Sequence, residues 1–190
     1  MIVDGIVLAG GASRRMGAHK PLMPFAGGRL IDAVIARAAP QIRRLAVNVP
    51  RAMAQDYPHT DVVPDLFDAP LGPLCGVVTG LDWLAGDWLA TFPCDAPFLP
   101  RDLVAQLTRA ARDRPVVAVR DGRVQAVCAL WPKQALPGLR AELARFRSMR
   151  ATLQAFGAIE VEIAAGPHAF FNVNAPEDLA EAERLRGQAD

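Results

Sequence analysis

The stretch that decides the fold is GIVLAGGASRRMGAHK, residues 5–20. Its apolar run, residues 6–9, has the length of a buried strand and ends at the paired glycines Gly10 and Gly11. Glycines let the backbone turn sharply and bring its N–H groups close to a ligand. The pattern therefore predicts a strand that leads directly into a ligand-binding loop.

The same loop is basic, because Arg14, Arg15 and Lys20 follow the glycines. Cations beside close backbone N–H groups indicate an anionic ligand, and a polyphosphate suits both features. The spacing fits neither the P-loop, which ends in Gly-Lys-Ser/Thr, nor the dinucleotide fingerprint G-x-G-x-x-G. The alternative is an ordinary glycine turn with surface arginines, which this density of glycines and cations disfavours.

The composition bounds the class of protein. A chain of 190 residues with 52% hydrophobic residues predicts one folded domain, residues 1–190, and excludes disorder. The net charge of +1 gives no support to a nucleic-acid partner or a membrane surface, and no apolar run reaches the roughly 18 residues of a membrane span. Three cysteines without a C-x-x-C pair, and no evident signal peptide, predict a reduced cytoplasmic protein without a disulfide or metal framework.

The first 115 residues alternate between strand and helix patterns. Short apolar strands at residues 45–49, 61–65 and 88–92 are separated by helical periodicity at residues 31–42 and 74–84, with Pro40 expected to kink or end the first helix. A further helix is expected to open at Pro100. This alternation predicts an α/β fold: a Rossmann-like, three-layer α/β/α arrangement around a mostly parallel sheet.

The C-terminal half departs from that alternation. Residues 116–119 and 124–130 flank Asp121-Gly122 and predict a β-hairpin that adds an antiparallel strand to the sheet. Helices are expected at residues 139–143 and after the cap Ser148, followed by a strand at residues 159–163. A last helix should start at Pro176, with acids in its first turn.

The glycine loop, Asn48, Asp65 and Asp95 all fall at the C-terminal ends of predicted strands. Ligands of open α/β sheets bind at that edge, so these residues form a candidate site. Asp95 lies between Pro93 and Pro97, and a carboxylate held in this way can bind Mg²⁺ beside phosphates. The alternative is that Asp95 caps the helix near Pro100; in this context we favour the metal.

The loop, in its LAGG form followed by S-x-R-M-G-x-x-K, resembles that of the molybdenum cofactor guanylyltransferases, within the nucleotidyltransferase superfamily. Those enzymes join GMP from GTP to molybdopterin. Further segments match the family in order, from Gly5 to about Leu179: strand ends at Asn48 and at Val63-Pro64-Asp65 (V-x-D), G-P-L-x-G at residues 72–76, P-C-D-x-P at residues 93–97, and an N-x-N closing motif at residues 172–178. The resemblance also implies the fold of the nucleotide-diphospho-sugar transferases.

The resemblance implies a role for each matching position. The nucleotide-binding residues would be Leu8, Ala9, Gly10, Gly11, Lys20, Asn48, Asp65, Gly72 and Asp95. Arg15 and Lys20 would hold the triphosphate and, with Asp95 as the Mg²⁺ ligand, form the catalytic set. Asn172 and Asn174 would border the acceptor. Asp65 suits guanine, because its carboxylate can accept from N1–H and from the exocyclic amine, a donor pair that cytosine lacks.

Simpler interpretations stay open for several of these positions. Asp65 fits an Asx-turn, Asn48 a surface amide, Gly72 a plain loop, and Asn174 can cap the last helix as well as border the acceptor. Two positions depart from the family pattern: His19 stands where Asp is usual, and Ala175 where Thr is usual. His19 puts a titratable ring beside Lys20, where phosphates would raise its pKa.

The predicted reaction is Mg²⁺-dependent transfer of GMP from GTP to the phosphate of a molybdopterin-type cofactor, with release of pyrophosphate. Cytidylyl transfer to the same acceptor, or another phosphate-acceptor nucleotidyltransferase, is the runner-up. A non-catalytic nucleotide-binding module is the remote alternative, which the presence of both Lys20 and Asp95 disfavours. Other cofactor-biosynthesis or acceptor proteins are possible partners.

Overall fold

The computed structural model describes residues 1–10, 19–57, 61–67, 72–143, 145 and 148–188. The strands are β1 (Val3–Leu8), β2 (Pro24–Phe25), β3 (Gly28–Arg29), β4 (Leu45–Val49), β5 (Val62–Pro64), β6 (Trp88–Pro93), β7 (Val116–Arg120), β8 (Arg123–Pro132) and β9 (Ile159–Glu162). The helices are α1 (Leu30–Ala38), α2 (Pro73–Trp83), α3 (Leu103–Ala110), α4 (Leu136–Glu142), α5 (Met149–Ala155) and α6 (Pro176–Leu185). Among these helices, none is long and apolar enough to cross a membrane.

Seven strands form one sheet in the order β5-β4-β1-β6-β8-β7-β9, while β2 and β3 make a separate small hairpin. β1 is parallel to both β4 and β6, and β8 is antiparallel to β6 and β7. After β1 the chain fills one side of the sheet with β4 and β5, then returns to place β6 on the other side of β1. The topological switch point, where such sheets bind ligands, therefore lies between β1 and β6.

Helices cover both faces of the sheet. Ile31 of α1 and Leu103 of α3 belong to a core that includes Val7 of β1. The neighbouring Ile6 points to the opposite face and packs in a second core with Val77 of α2 and helices α4 and α5. Because successive strand residues alternate between faces, β1 is buried from both sides. The predicted three-layer fold is confirmed.

Local signals placed several elements correctly. Asp121 and Gly122 have positive φ of 50° and 69°, as a tight hairpin turn between β7 and β8 requires. The Ser148 hydroxyl accepts from the Ala151 N–H at 3.2 Å and caps α5. Pro40 lies in a 3-10 turn directly after α1, so it ends that helix as expected.

Two predicted boundaries shift. The helix predicted at residues 74–84 begins one residue earlier, at Pro73, where the missing N–H of proline costs nothing. Pro100 does not open a helix directly: a turn intervenes, and α3 begins at Leu103 with Asp102 as its N-cap residue. Proline is therefore the first residue of α2, whereas Pro100 only precedes the start of α3.

Candidate active site

The C-terminal ends of β1, β4, β5 and β6 form one edge, at the switch point. Backbone bonds extend the sheet past the strand ends: the Ala9 N–H donates to the Asn48 carbonyl at 2.8 Å, and the Asp65 N–H donates to the Val49 carbonyl at 2.9 Å. This edge therefore carries Gly10, Asn48, Asp65 and Asp95 side by side, as their positions after predicted strands indicated.

A lysine, a carboxylate and an amide meet at the centre of this edge. The Lys20 ammonium donates to Asp95 Oδ2 at 2.6 Å and to Asn174 Oδ1 at 3.1 Å. The Lys20 and Asp95 side chains are only 14% and 18% exposed, so the pair is largely shielded from water. The sequence predicted a role in the site for each of the three residues separately, and the fold brings them together.

Asp95 is held by the loop that carries the closing motif. Its carbonyl accepts from the Val173 N–H at 2.9 Å, which links the end of β6 to the segment between Asn172 and Asn174. The alternative interpretation of Asp95 as a helix cap is wrong, because Asp102 occupies the N-cap position of α3. The Asp95 side chain instead faces the cation. Val173, an apolar residue within a polar motif, is a contact that sequence reasoning missed.

Asn174 does not cap α6, contrary to the prediction. The N-cap residue is Ala175, and the Asp178 carboxylate accepts from the N–H groups of Asn174 and Ala175 at 2.8 and 2.9 Å. Asp178 therefore accepts the hydrogen bonds of the N–H groups at the helix start, and the Asn174 side chain remains available to bind Lys20. Asn172 and Asn174 both lie on the surface, where an acceptor can reach them.

The second half of the edge is an asparagine–aspartate pair. Asn48 Nδ2 donates to the Val63 carbonyl at 3.1 Å and to Asp65 Oδ1 at 2.8 Å. Because Asn48 is only 3% exposed, its interpretation as a surface amide is wrong. Asp65, directly after β5, is partly exposed and can meet a ligand.

The remaining predicted nucleotide positions differ in their exposure and backbone conformation. Gly10 is exposed, and a Cβ placed on it would lie 3.8 Å from Asp65 Oδ2, so this glycine lies next to the carboxylate. Leu8 and Ala9 are buried, which leaves their backbone as the ligand-facing part. Gly72 precedes α2 with φ of +71°, a conformation that favours glycine. Gly11 and Arg15 lie outside the described residues.

His19 has a partner that the sequence did not reveal. Its Nε2 lies 2.8 Å from the hydroxyl of Tyr57, and the two rings meet edge to face. Burial lowers the pKa of His19, although the charge of Asp56 acts in the opposite direction. Burial also raises the pKa of Tyr57. Both groups are therefore neutral at pH 7 in the unliganded protein. A lone tyrosine 38 residues away carries no sequence signal for this contact.

The residues present fit a hard divalent cation. Asp95 Oδ2 and Asn174 Oδ1 converge on one cationic group, the Lys20 ammonium, and oxygen atoms of this kind are the ligands that Mg²⁺ prefers. In the part of the chain that the structure describes, no cluster of three or more His, Cys, Asp or Glu residues could hold a metal ion. A magnesium ion here would therefore depend on substrate phosphates for its other ligands.

A doubly wound sheet with a lysine and a carboxylate paired at its switch point is the arrangement of a nucleotidyltransferase. Comparison with known proteins agrees: the profile described as "MobA-like NTP transferase domain" matches residues 5–160. The chain belongs to this family.

Curated relatives match over almost the whole chain. The molybdenum cofactor guanylyltransferase of Mesorhizobium japonicum is 39% identical over 204 residues, covering 96% of this chain and 95% of its own. That of Rhodobacter capsulatus is 40% identical, and both chains are covered completely. Among solved structures, molybdopterin-guanine dinucleotide biosynthesis protein A from Archaeoglobus fulgidus superposes with a TM-score of 0.82 at 20% identity, covering 97% of this chain and 99% of its own.

Proposed function

We propose that this protein transfers GMP from GTP to the terminal phosphate of a molybdenum–molybdopterin cofactor, giving the guanine dinucleotide cofactor and pyrophosphate. The names of the full-length relatives support guanylyl transfer to this acceptor. The structural observation that carries the proposal is the meeting of Lys20, Asp95 and Asn174 at the switch point, on the same edge as Asp65.

GTP would lie along the C-terminal edge, with its base at β5 and its phosphates at β1 and β6. Asp65 would accept from guanine N1–H and from the exocyclic amine, next to the Gly10 backbone. The triphosphate would reach Lys20, the cation fixed at the centre of the edge, and Arg15 would assist from the loop. The exposed Asn172 and Asn174 would border the acceptor.

Transfer itself needs positioning and charge neutralisation rather than a nucleophilic side chain. An oxygen of the acceptor phosphate forms a bond to the α-phosphorus of GTP, the bond between that phosphorus and the bridging oxygen breaks, and pyrophosphate leaves. Mg²⁺, held by Asp95, would supply charge neutralisation at the α-phosphate. Lys20, which pairs with Asp95 in the unliganded protein, would turn its ammonium to the phosphates.

The compartment and the domain organisation remain proposals. We place the protein in the cytoplasm, supported by its three free, buried cysteines. We also propose that residues 1–190 act as a single nucleotidyltransferase domain.

The direct test is to incubate the protein with Mg²⁺, molybdopterin and each of the four ribonucleoside triphosphates, and to follow pyrophosphate release. We expect release with GTP above all. Equal activity with CTP would favour the cytidylyl alternative, and binding without release would favour a binding module.

Asp65→Ala tests how the base is chosen. Loss of a charge-assisted hydrogen bond should reduce the preference for GTP over ATP and CTP by about 1.5–3 kcal/mol. Asp61→Ala is the matched control, because Asp61 is an exposed acid just before β5, at the strand's opposite end. An unchanged preference in Asp65→Ala would remove Asp65 from the base site.

A further inference from the structure

Helix α2 comes unusually close to the sheet at Gly76. A Cβ placed on this glycine would lie 2.3 Å from Asn48 Oδ1 and 2.6 Å from Leu8 Cδ2, both inside van der Waals contact. Any larger residue would therefore have to push the Asn48 amide or the Leu8 side chain aside. Glycine is unfavourable in a helix interior by about 1 kcal/mol relative to alanine, so its use here indicates that the space is needed.

The orientation of the Asn48 amide is unambiguous. Its Nδ2 faces two acceptors, the Val63 carbonyl and the Asp65 carboxylate, so the nitrogen and oxygen cannot be exchanged. These two bonds use both amide hydrogens. Both amide donors of Asn48 are therefore engaged within the protein, and only 3% of the residue is exposed.

Asp65 receives its orientation from this amide. Asn48 holds Oδ1, while Oδ2 lies on the side of Gly10, 3.8 Å from where a Cβ on that glycine would be. Each carboxylate oxygen has two lone pairs, so Oδ1 can accept from Asn48 and from a base at once. The neighbouring Cys75 stays a neutral thiol, because burial, reinforced by the Asp65 charge, raises its pKa to about 11.

We infer that Gly76 and Asn48 are positioning residues for base recognition. The glycine leaves room for the amide, and the amide holds the Asp65 carboxylate in the orientation that reads guanine. Asn48 thus acts on the base through Asp65. The inference rests on the proposed function, in which Asp65 contacts the base.

The test compares Gly76→Ala with Gly80→Ala. Gly80 lies one helical turn further along α2, and a Cβ there would also be too close to the sheet, at 2.7 Å from Leu89 Cδ2. That neighbour is an apolar side chain remote from Asp65, so Gly80→Ala reports the cost of crowding alone. The readout is the ratio of kcat/KM for GTP to that for ITP, which lacks the exocyclic amine.

We expect Gly76→Ala to lower the GTP-to-ITP ratio about tenfold or more, and Gly80→Ala to leave it unchanged. Asn48→Leu keeps the branched shape without the donors and should lower the ratio similarly. The Kd for tripolyphosphate, which has no base, should stay the same in all three variants. If Gly76→Ala folds poorly, the double variant Gly76→Ala/Asn48→Ala removes the clash with the amide and keeps only the one with the Leu8 side chain, so its GTP-to-ITP ratio should match that of Asn48→Ala alone.

Asp65→Ala separates the inference from its premise. If Asp65→Ala leaves the GTP-to-ITP ratio unchanged, the proposed base contact is wrong and the inference falls with it. If Asp65→Ala lowers the ratio while Gly76→Ala and Asn48→Leu retain it, the base contact stands and the positioning roles of Gly76 and Asn48 are overturned.

Discussion

The Lys20–Asp95 pair shows how single side chains prepare the site. A lysine and an aspartate at 2.6 Å, both mostly shielded from water, form an ion pair before any substrate binds. The same carboxylate would have to serve a metal during the reaction. In the proposed function, substrate phosphates would give Lys20 an alternative partner, so GTP and the metal would enter together without leaving either charge uncompensated.

Asp95→Asn separates binding from catalysis. The amide keeps the shape and one oxygen ligand but removes the charge, so GTP affinity should change little. Turnover should fall about a hundredfold or more, because the lost stabilisation acts where charge is redistributed in the transition state. Steady-state kinetics and GTP titration measure the two effects. Near-normal guanylyl transfer by a folded Asp95→Asn protein would remove the metal role from this residue.

His19 predicts a pH effect on stability. Burial lowers its pKa below the unfolded value of 6.5, so near pH 6 the unfolded chain binds more protons than the folded one. The stabilisation from the neutral ring is therefore present above pH 6.5 and is lost as the pH falls through the folded pKa. His19→Gln should flatten the loss of urea-unfolding free energy between pH 7.5 and 5.5.

His168→Gln is the control for His19→Gln, because it removes a histidine from a different loop. A wild-type loss of stability that persists fully in His19→Gln would contradict the assignment. An NMR titration in the presence of GTP tests whether His19 lies near the nucleotide, because phosphates close to His19 should raise its pKa.

Among the elements, helix α6 affects the site through the position at which it begins. Asp178, in its first turn, accepts two backbone N–H groups and thereby sets the position of Asn174, whose side chain reaches Lys20. Proline at the first helical position adds to the same start. The helix therefore helps to position Asn174, which the proposed function places at the acceptor.

Asp178→Ala should cost about 1 kcal/mol of unfolding free energy, as the loss of a helix cap does, and should also lower turnover because Asn174 is released. Glu177→Ala is the matched control: it removes an exposed acid from the same turn. Urea unfolding and kinetics on both variants give the comparison. Equal effects of the two changes would mean that Asp178 acts only through its charge near the helix start.

For the molecule as a whole, the buried Asp4 joins three parts of the chain. It is fully buried in β1 and accepts from the Arg43 guanidinium at 2.9 and 2.8 Å and from the N–H groups of Ala85 and Gly86. Burial alone would raise the pKa of Asp4, but Arg43 and these N–H groups hold it below the usual value. Asp4 thus links the connections that lead into β4 and β6.

Asp4→Asn should lower the free energy of unfolding by about 3 kcal/mol, the low end for a broken buried ion pair, because the Arg43 side chain is 45% exposed and stays hydrated. Asp82→Asn breaks an exposed pair with Arg140 and should cost under about 1 kcal/mol. The Asp4 contribution is present above pH 3.8 and is lost as the pH falls through its lowered pKa. Urea unfolding at pH 7 tests the first statement, and equal losses in the two variants would refute it. Urea unfolding of the wild type and of Asp4→Asn below pH 3.8 tests the second, because the difference between the two proteins should shrink there.

Much of this architecture could be predicted from the sequence, because the signals that specify these elements are local. The strand before Gly10, the hairpin at Asp121-Gly122, the cap at Ser148 and the start of α6 each depend on a few adjacent residues whose backbone preferences agree. The placement of Asn48, Asp65 and Asp95 at one edge also follows, since parallel strands end on the same side of a sheet.

Only the tertiary structure decides which side chains meet. Lys20 and Asn174 are 154 residues apart, and His19 and Tyr57 are 38 apart, so their contacts depend on strand order and loop paths that no local pattern encodes. Asn174 was wrongly expected to cap α6 because the sequence does not say that Asp178 takes the N–H groups. The role of Gly76 cannot be predicted from its sequence neighbours, because a Cβ is excluded there by the Asn48 and Leu8 side chains that the helix approaches in the fold.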